Sequence, residues 1–173
     1  MKSRILSYAT TATTASVLAL GTASLLAWRV NAAEGPTHVP VPVSINALMV
    51  AVVDHSAHEI WDAGNVARSG GTLSGRDWQE IEQHSIQLAA SGTLISLGGT
   101  GTADFGWVES PAWQGYARQL TESAMAAHEA VANQDQMALA DAGDALAATC
   151  EACHQTFKPD APTEGILHVP HYD

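Results

Sequence analysis

Cys150, Cys153 and His154 are the residues whose types and spacing speak most directly of chemistry. They lie in the run Cys150-Glu151-Ala152-Cys153-His154, which holds the only two cysteines among 173 residues. A C-x-x-C pair followed at once by histidine is the pattern of a covalent c-type haem attachment site. On a helix, residues four apart share a face, so Cys150 and His154 stand one above the other with Cys153 beside them. Two thioether bonds could then hold the porphyrin edge while His154 ligates iron, and the motif suits one haem c. Three other chemistries use the same residue types. A structural zinc site normally takes four protein ligands, and no second cysteine pair completes one. A thioredoxin-like dithiol needs its C-x-x-C near a helix N-terminus in a βαβ setting. A disulfide between the two thiols is the third.

The elements that must position this motif read as helices. After the proline-rich stretch with Pro36, Pro40 and Pro42, Ser44 offers an N-cap. Ile45, Leu48, Met49 and Val52 follow at spacings of three and four, and the stripe continues through Val53, Ile60 and Trp61. Gly64, Gly70 and Gly71 are expected to break that helix. Asp77 and Glu80 resemble a capping box for a second helix, with Trp78, Ile81, Ser85, Leu88 and Ala89 as its buried stripe. Beyond the glycine-rich connection from Gly98 to Gly106, Ser110-Pro111 places a cap before a proline at the first helical position. Trp113, Tyr116, Leu120, Ala124 and Ala127 carry the third helix to about Ala132. Asn133 or Asp135 then caps a fourth, where Met137, Ala140, Ala147, Cys150, His154 and Phe157 keep a helical rhythm until Pro159. Gly143, inside that helix, suits a place where its backbone crowds a porphyrin or another helix. With no strand alternation of convincing length, the chain is expected to be all-α. An antiparallel four-helix bundle with a covalent haem on the last helix would bury these stripes.

The first residues suggest export. Lys2 and Arg4 precede a Thr/Ala-rich stretch and the apolar runs Val17 to Leu20 and Ala23 to Trp28, and Ala32 suits a small-residue cut. Residues 1–32 are therefore read as a signal peptide or an N-terminal membrane anchor. Residues 33–42 are read as a linker, 43–159 as the bundle and 160–173 as a C-terminal tail. Either fate of the leader carries the domain to an oxidising compartment, here the periplasm, where haem attachment to Cys150 and Cys153 is expected. Removing Lys2, Arg4 and Arg29 leaves four basic residues against all 18 acids, and the formal charge moves from −11 to −14. Such a surface repels nucleic acid and anionic lipid. A redox partner protein with a basic docking surface is the partner it fits.

With its attachment motif on the last of four helices, the chain resembles the cytochrome c′ family, the class II c-type cytochromes. The resemblance covers roughly residues 43–158. It departs from the usual family pattern after the motif, where Phe157 stands for tyrosine and Lys158 for arginine. It lacks a basic residue early in the first helix. The resemblance implies that the first helix supplies the sixth iron position, and Met49 is then the candidate distal ligand. The same methionine at helical spacing also reads as core filler. Homodimers are a further expectation from the resemblance. His55, His58 and His84 are rival distal ligands, while His128, His168 and His171 read as surface or tail residues.

With His154 and Met49 on iron, the expected function is single-electron transfer, since neither oxidation state needs a ligand to come or go. Without Met49 the alternative is a five-coordinate haem protein that binds nitric oxide or carbon monoxide. Gly98-Gly99-Thr100-Gly101-Thr102 lacks the Lys-Ser/Thr pair of a P-loop and reads as a flexible connector. His55-x-x-His58-Glu59 is not the order of a zinc protease. The expectation is a carrier and not an enzyme.

Overall fold

The computed structural model describes residues 41–159. The leader read in residues 1–32, most of the linker, and the tail from residue 160 lie outside the described residues. Among the described residues every regular element is helical, so the all-α expectation holds. The elements are α1 (Ile45–Leu48), a π-helical turn (Met49–Val53), α2 (Asp54–Arg68), α3 (Gly75–Leu97), α4 (Asp104–Val108), α5 (Pro111–Asn133) and α6 (Gln136–Phe157).

Local chemistry accounts for most helix ends. Ser44 accepts from the Ala47 amide and opens α1, as its position predicts. α3 starts earlier than expected, because Ser74 is the N-cap and Asp77 the third-position partner of a reciprocal capping box. Pro111 occupies the first turn of α5. Asp135 caps α6 through the amides of Met137 and Ala138.

The first helix departs from its expected course twice. Gly64 does not break it; the helix continues to Arg68. Gly64 is buried, and a Cβ there would stand 3.2 Å from the Ala140 Cα, so the residue serves helix approach. Between Met49 and Val53 the chain makes a π-helical turn, with the Asp54 amide bonded to the Met49 carbonyl five residues back. Val50, Val52 and Val53 are β-branched and crowd an α-helical turn. One extra residue in the turn rotates the remainder of the helix by about 100°. Met49 and Val52 are accordingly only half-buried, while Val53 is buried.

α3 packs on α5, α5 on α6, α6 on α2 and α2 on α3. Hydrogen bonds give the directions. Trp113 Nε1 donates to the Ile95 carbonyl and Thr121 Oγ1 to the Ala89 carbonyl, so α3 and α5 run oppositely. Trp61 Nε1 donates to the Gly143 carbonyl and Arg68 Nη2 to the Ala140 carbonyl, each at 2.9 Å, so α2 and α6 do too. The enclosed core is built on Ile45, Ile60, Leu88, Leu139 and Leu146, with many alanines. Met137, read as part of the α6 stripe, is 56% exposed, and Leu139, Ala142 and Leu146 carry that stripe instead.

The glycine-rich connection is not a loose one. Asp104 is buried and accepts from the amides of Ile45 at 2.9 Å and Gly101 at 2.8 Å. Thr100 N–H donates to the Val43 carbonyl. A Cβ on Gly99 would lie 2.2 Å from that carbonyl oxygen. The connection thus clamps the start of the first helix with charge-assisted bonds.

Gly92 provides a test of the α3–α5 contact. A Cβ there would fall 2.6 Å from the Ala117 carbonyl oxygen, and backbone cannot swing aside. Gly92→Ala is expected to lower unfolding free energy by about 1–3 kcal/mol despite alanine's better helix propensity. Gly75→Ala meets nothing within 4 Å and is expected to stay within about 0.5 kcal/mol of wild type. Urea denaturation of the two variants checks both.

Candidate functional site

The motif occupies the last two turns of α6. Cys153 is buried, Cys150 is half-buried, and neither forms a disulfide. Among the described residues His154 Nδ1 is a buried side-chain nitrogen with no hydrogen-bond partner. Such a nitrogen, cut off from water, costs about 1–3 kcal/mol when nothing pairs with it. The residues present fit a group that would engage this ring, as an attached haem would. The helix places the imidazole in its final turn.

Burial also sets the state of the sulfurs. It is the first cause that pushes the Cys150 thiol up to about 12, with the neighbouring Cys153 and Asp54 acting the same way. Cys153 is pushed up to about 11, again by burial. Both are therefore neutral thiols near pH 7. A thioredoxin-like dithiol depends on a depressed thiol pKa, so this environment counts against that alternative.

An aromatic cluster holds the end of α6. The Phe157 ring meets Trp113 edge-on at 5.1 Å, and lies 6.4 Å from Trp107 and 6.3 Å from Tyr116. Trp107 stacks on Trp113 at 5.1 Å, and Lys158 Nζ lies 6.0 Å from the Trp107 ring. Offset and edge-on aromatic pairs contribute about 0.5–1.5 kcal/mol beyond their area. Phe157 and Lys158 are thus both used in packing. Sequence reading missed Trp107, since it sits in a connection with no helical period to expose it.

Facing α6 across the molecule is the first helix. Gly64 approaches Ala140, Trp61 bonds Gly143, and Asp54 is near enough for its charge to act on Cys150. A Cβ on Gly143 would stand 3.4 Å from Trp61 Cδ1, so it is a helix that crowds this glycine. Met49 packs half-buried against the apolar core, at the start of the π-helical turn.

The rival histidines have other engagements. His58 Nδ1 lies 2.9 Å from the Asp54 carbonyl oxygen and 3.5 Å from its carboxylate, and its ring meets Trp61 edge-on. His55 and His84 meet each other edge-on at 5.1 Å. His84 Nδ1 lies 3.3 Å from Ser56 Oγ. His128 is not purely superficial, as its Nδ1 is 3.4 Å from the buried Ser85 hydroxyl. Among the described residues no helix is long and apolar enough to cross a membrane. No family model, no curated protein and no solved structure matches the chain.

The thiol environment gives a direct test with a sign. A thiol raised in the fold contributes stability that is present below the unfolded value, about 8.5, and lost as pH climbs through 11 to 12. Polypeptide made without haem attachment, and helical by circular dichroism, should alkylate at pH 7.5 about 100-fold more slowly than an ordinary cysteine. Denaturant should abolish that protection. Protein matured with haem should stay unreactive even when denatured, because its sulfurs would be thioethers. Mass-spectrometric counting of alkylated cysteines distinguishes the three states.

Proposed function

We propose that the chain is an exported, single-haem c-type cytochrome resembling the cytochrome c′ family, an antiparallel four-helix bundle that carries one electron. Cys150 and Cys153 would hold the haem, and His154 would be the proximal ligand. The observation that carries this reading is the buried, unpartnered ring nitrogen of His154 beside two neutral thiols on one helix. When bound, haem supplies a one-electron iron couple whose potential is tuned by ligands, burial and nearby charge.

The chain's own residues have separable tasks in this reading. α6 presents both sulfurs and the imidazole together, and the Trp107–Trp113–Phe157 cluster keeps that end of the helix in place. The first helix supports a distal role for Met49. Gly64, Trp61 and Asp54 pair in turn with Ala140, Gly143 and the vicinity of Cys150. One further turn of that antiparallel register would bring the Met49 segment level with His154. Arg68 bonds Asp144 as well as the Ala140 carbonyl, and so pins the opposite end of the α2–α6 pair. The acidic surface would draw a redox partner with a basic face and speed encounter at low salt. Neither a nucleophile with its base nor a substrate-orienting set is part of this reading; it describes a carrier.

Absorption spectra of the exported protein test the proposal together with its mass. The expected result is a polypeptide heavier by one haem, with a low-spin spectrum when reduced and no response to carbon monoxide. Met49→Ala should turn that spectrum high-spin and carbon monoxide-responsive. A wild-type protein already high-spin and responsive would assign gas binding instead, with Met49 as packing. A mass without haem would end both readings.

A further inference from the structure

A second cluster of ligating side chains lies on the side of α2 that faces α3. His55 and Glu59 are one turn apart on α2, and His84 approaches them from α3. One ligand atom from each of the three falls within 4.8 Å of the others. Ligand atoms on a tetrahedral zinc stand about 3.3 Å apart when the bonds are about 2.0–2.1 Å long. Side-chain rotation alone can close that difference, since the three residues already converge.

The surroundings of His84 prepare it as a ligand. Ser56 is fully buried, and its hydroxyl donates to Gln87 Oε1 at 2.8 Å. Its proton is thereby committed, so toward His84 Nδ1, 3.3 Å away, Ser56 Oγ acts as acceptor. Nδ1 then carries the ring proton, and Nε2 keeps the lone pair that a metal needs. Histidine ligands are commonly oriented in this way through the ring nitrogen that does not bind.

We propose that His55, Glu59 and His84 form a binding site for a divalent transition-metal ion, zinc being the ion best suited to two imidazoles and a carboxylate, with solvent completing its coordination. The ion bridges α2 and α3, a pair of helices that the Cys150–His154 motif does not join. The site uses none of the proposed haem ligands, and it stands or falls independently of the haem.

Isothermal titration of the purified full chain with zinc chloride tests this, alongside absorption spectra of the same samples. The expected result is saturable binding of one ion per chain. His55→Ala and Glu59→Gln, both on the helix surface, should each weaken it at least about tenfold, and Ser56→Ala by about tenfold through loss of the orienting bond. Circular dichroism and the visible spectrum should not change in any of these variants. Absence of saturable binding would overturn the proposal, as would unchanged affinity in His55→Ala and Glu59→Gln. A visible spectrum altered by His55→Ala or His84→Ala would also overturn it, by assigning that histidine to haem iron.

Discussion

The close approach of α2 and α6 is the contact on which the arrangement depends. Gly64 meets the Ala140 backbone, and Gly143 receives the Trp61 indole through a 2.9 Å hydrogen bond. Small residues let the two axes come near, while one large ring with a single donor fixes their register, since it is satisfied only at one carbonyl. Arg68 reinforces that register from the other end through Ala140 and Asp144. Because α6 carries the Cys150–His154 motif, this register decides which part of the first helix the motif faces. Well-packed interiors leave little room for sliding, so sulfur, imidazole and first helix keep their relation.

The first helix has two working sides, and neighbouring residues fall on different ones. Trp61 and Asp54 act on α6, with His58 set against both of them, whereas His55, Ser56 and Glu59 are engaged with α3. The π-helical turn immediately before Asp54 sets the phase of everything after it. Had Met49–Val53 stayed α-helical with the same residues, the sides would be rotated by about 100°. The buried Asp104 carboxylate then holds the first helix by its Ile45 amide, which fixes the start from which this phase is counted. A distant loop and one irregular turn thus govern which helix each histidine meets.

Much of this was legible from residue order. Caps at Ser44 and Asp135, the proline at 111 and the stripes through Trp78, Ile81, Leu88, Leu120 and Ala124 are local signals, and local hydrogen bonding and burial obey them. Residue order misleads where a neighbouring element overrides local preference. Gly64 reads as a breaker in isolation but sits inside a helix because α6 needs its space. Met137 keeps the helical period yet is exposed, because α6 turns Leu139, Ala142 and Leu146 inward. The Gly98–Gly101 run reads as loose, whereas Asp104 and Val43 hold it in place.

Sequence by itself determined the helical class and the set of sulfur and imidazole donors in the Cys-x-x-Cys-His run, because both follow from spacing within a few residues along one helix. Tertiary structure alone decided that the thiols are neutral and that, among the described residues, one His154 nitrogen is buried without a partner, since burial belongs to the neighbours. It also decided that His55, Glu59 and His84 converge. Residues separated by a helix turn and a loop can be recognised as a cluster only after two helices have packed, since no spacing in the chain encodes the angle at which they meet.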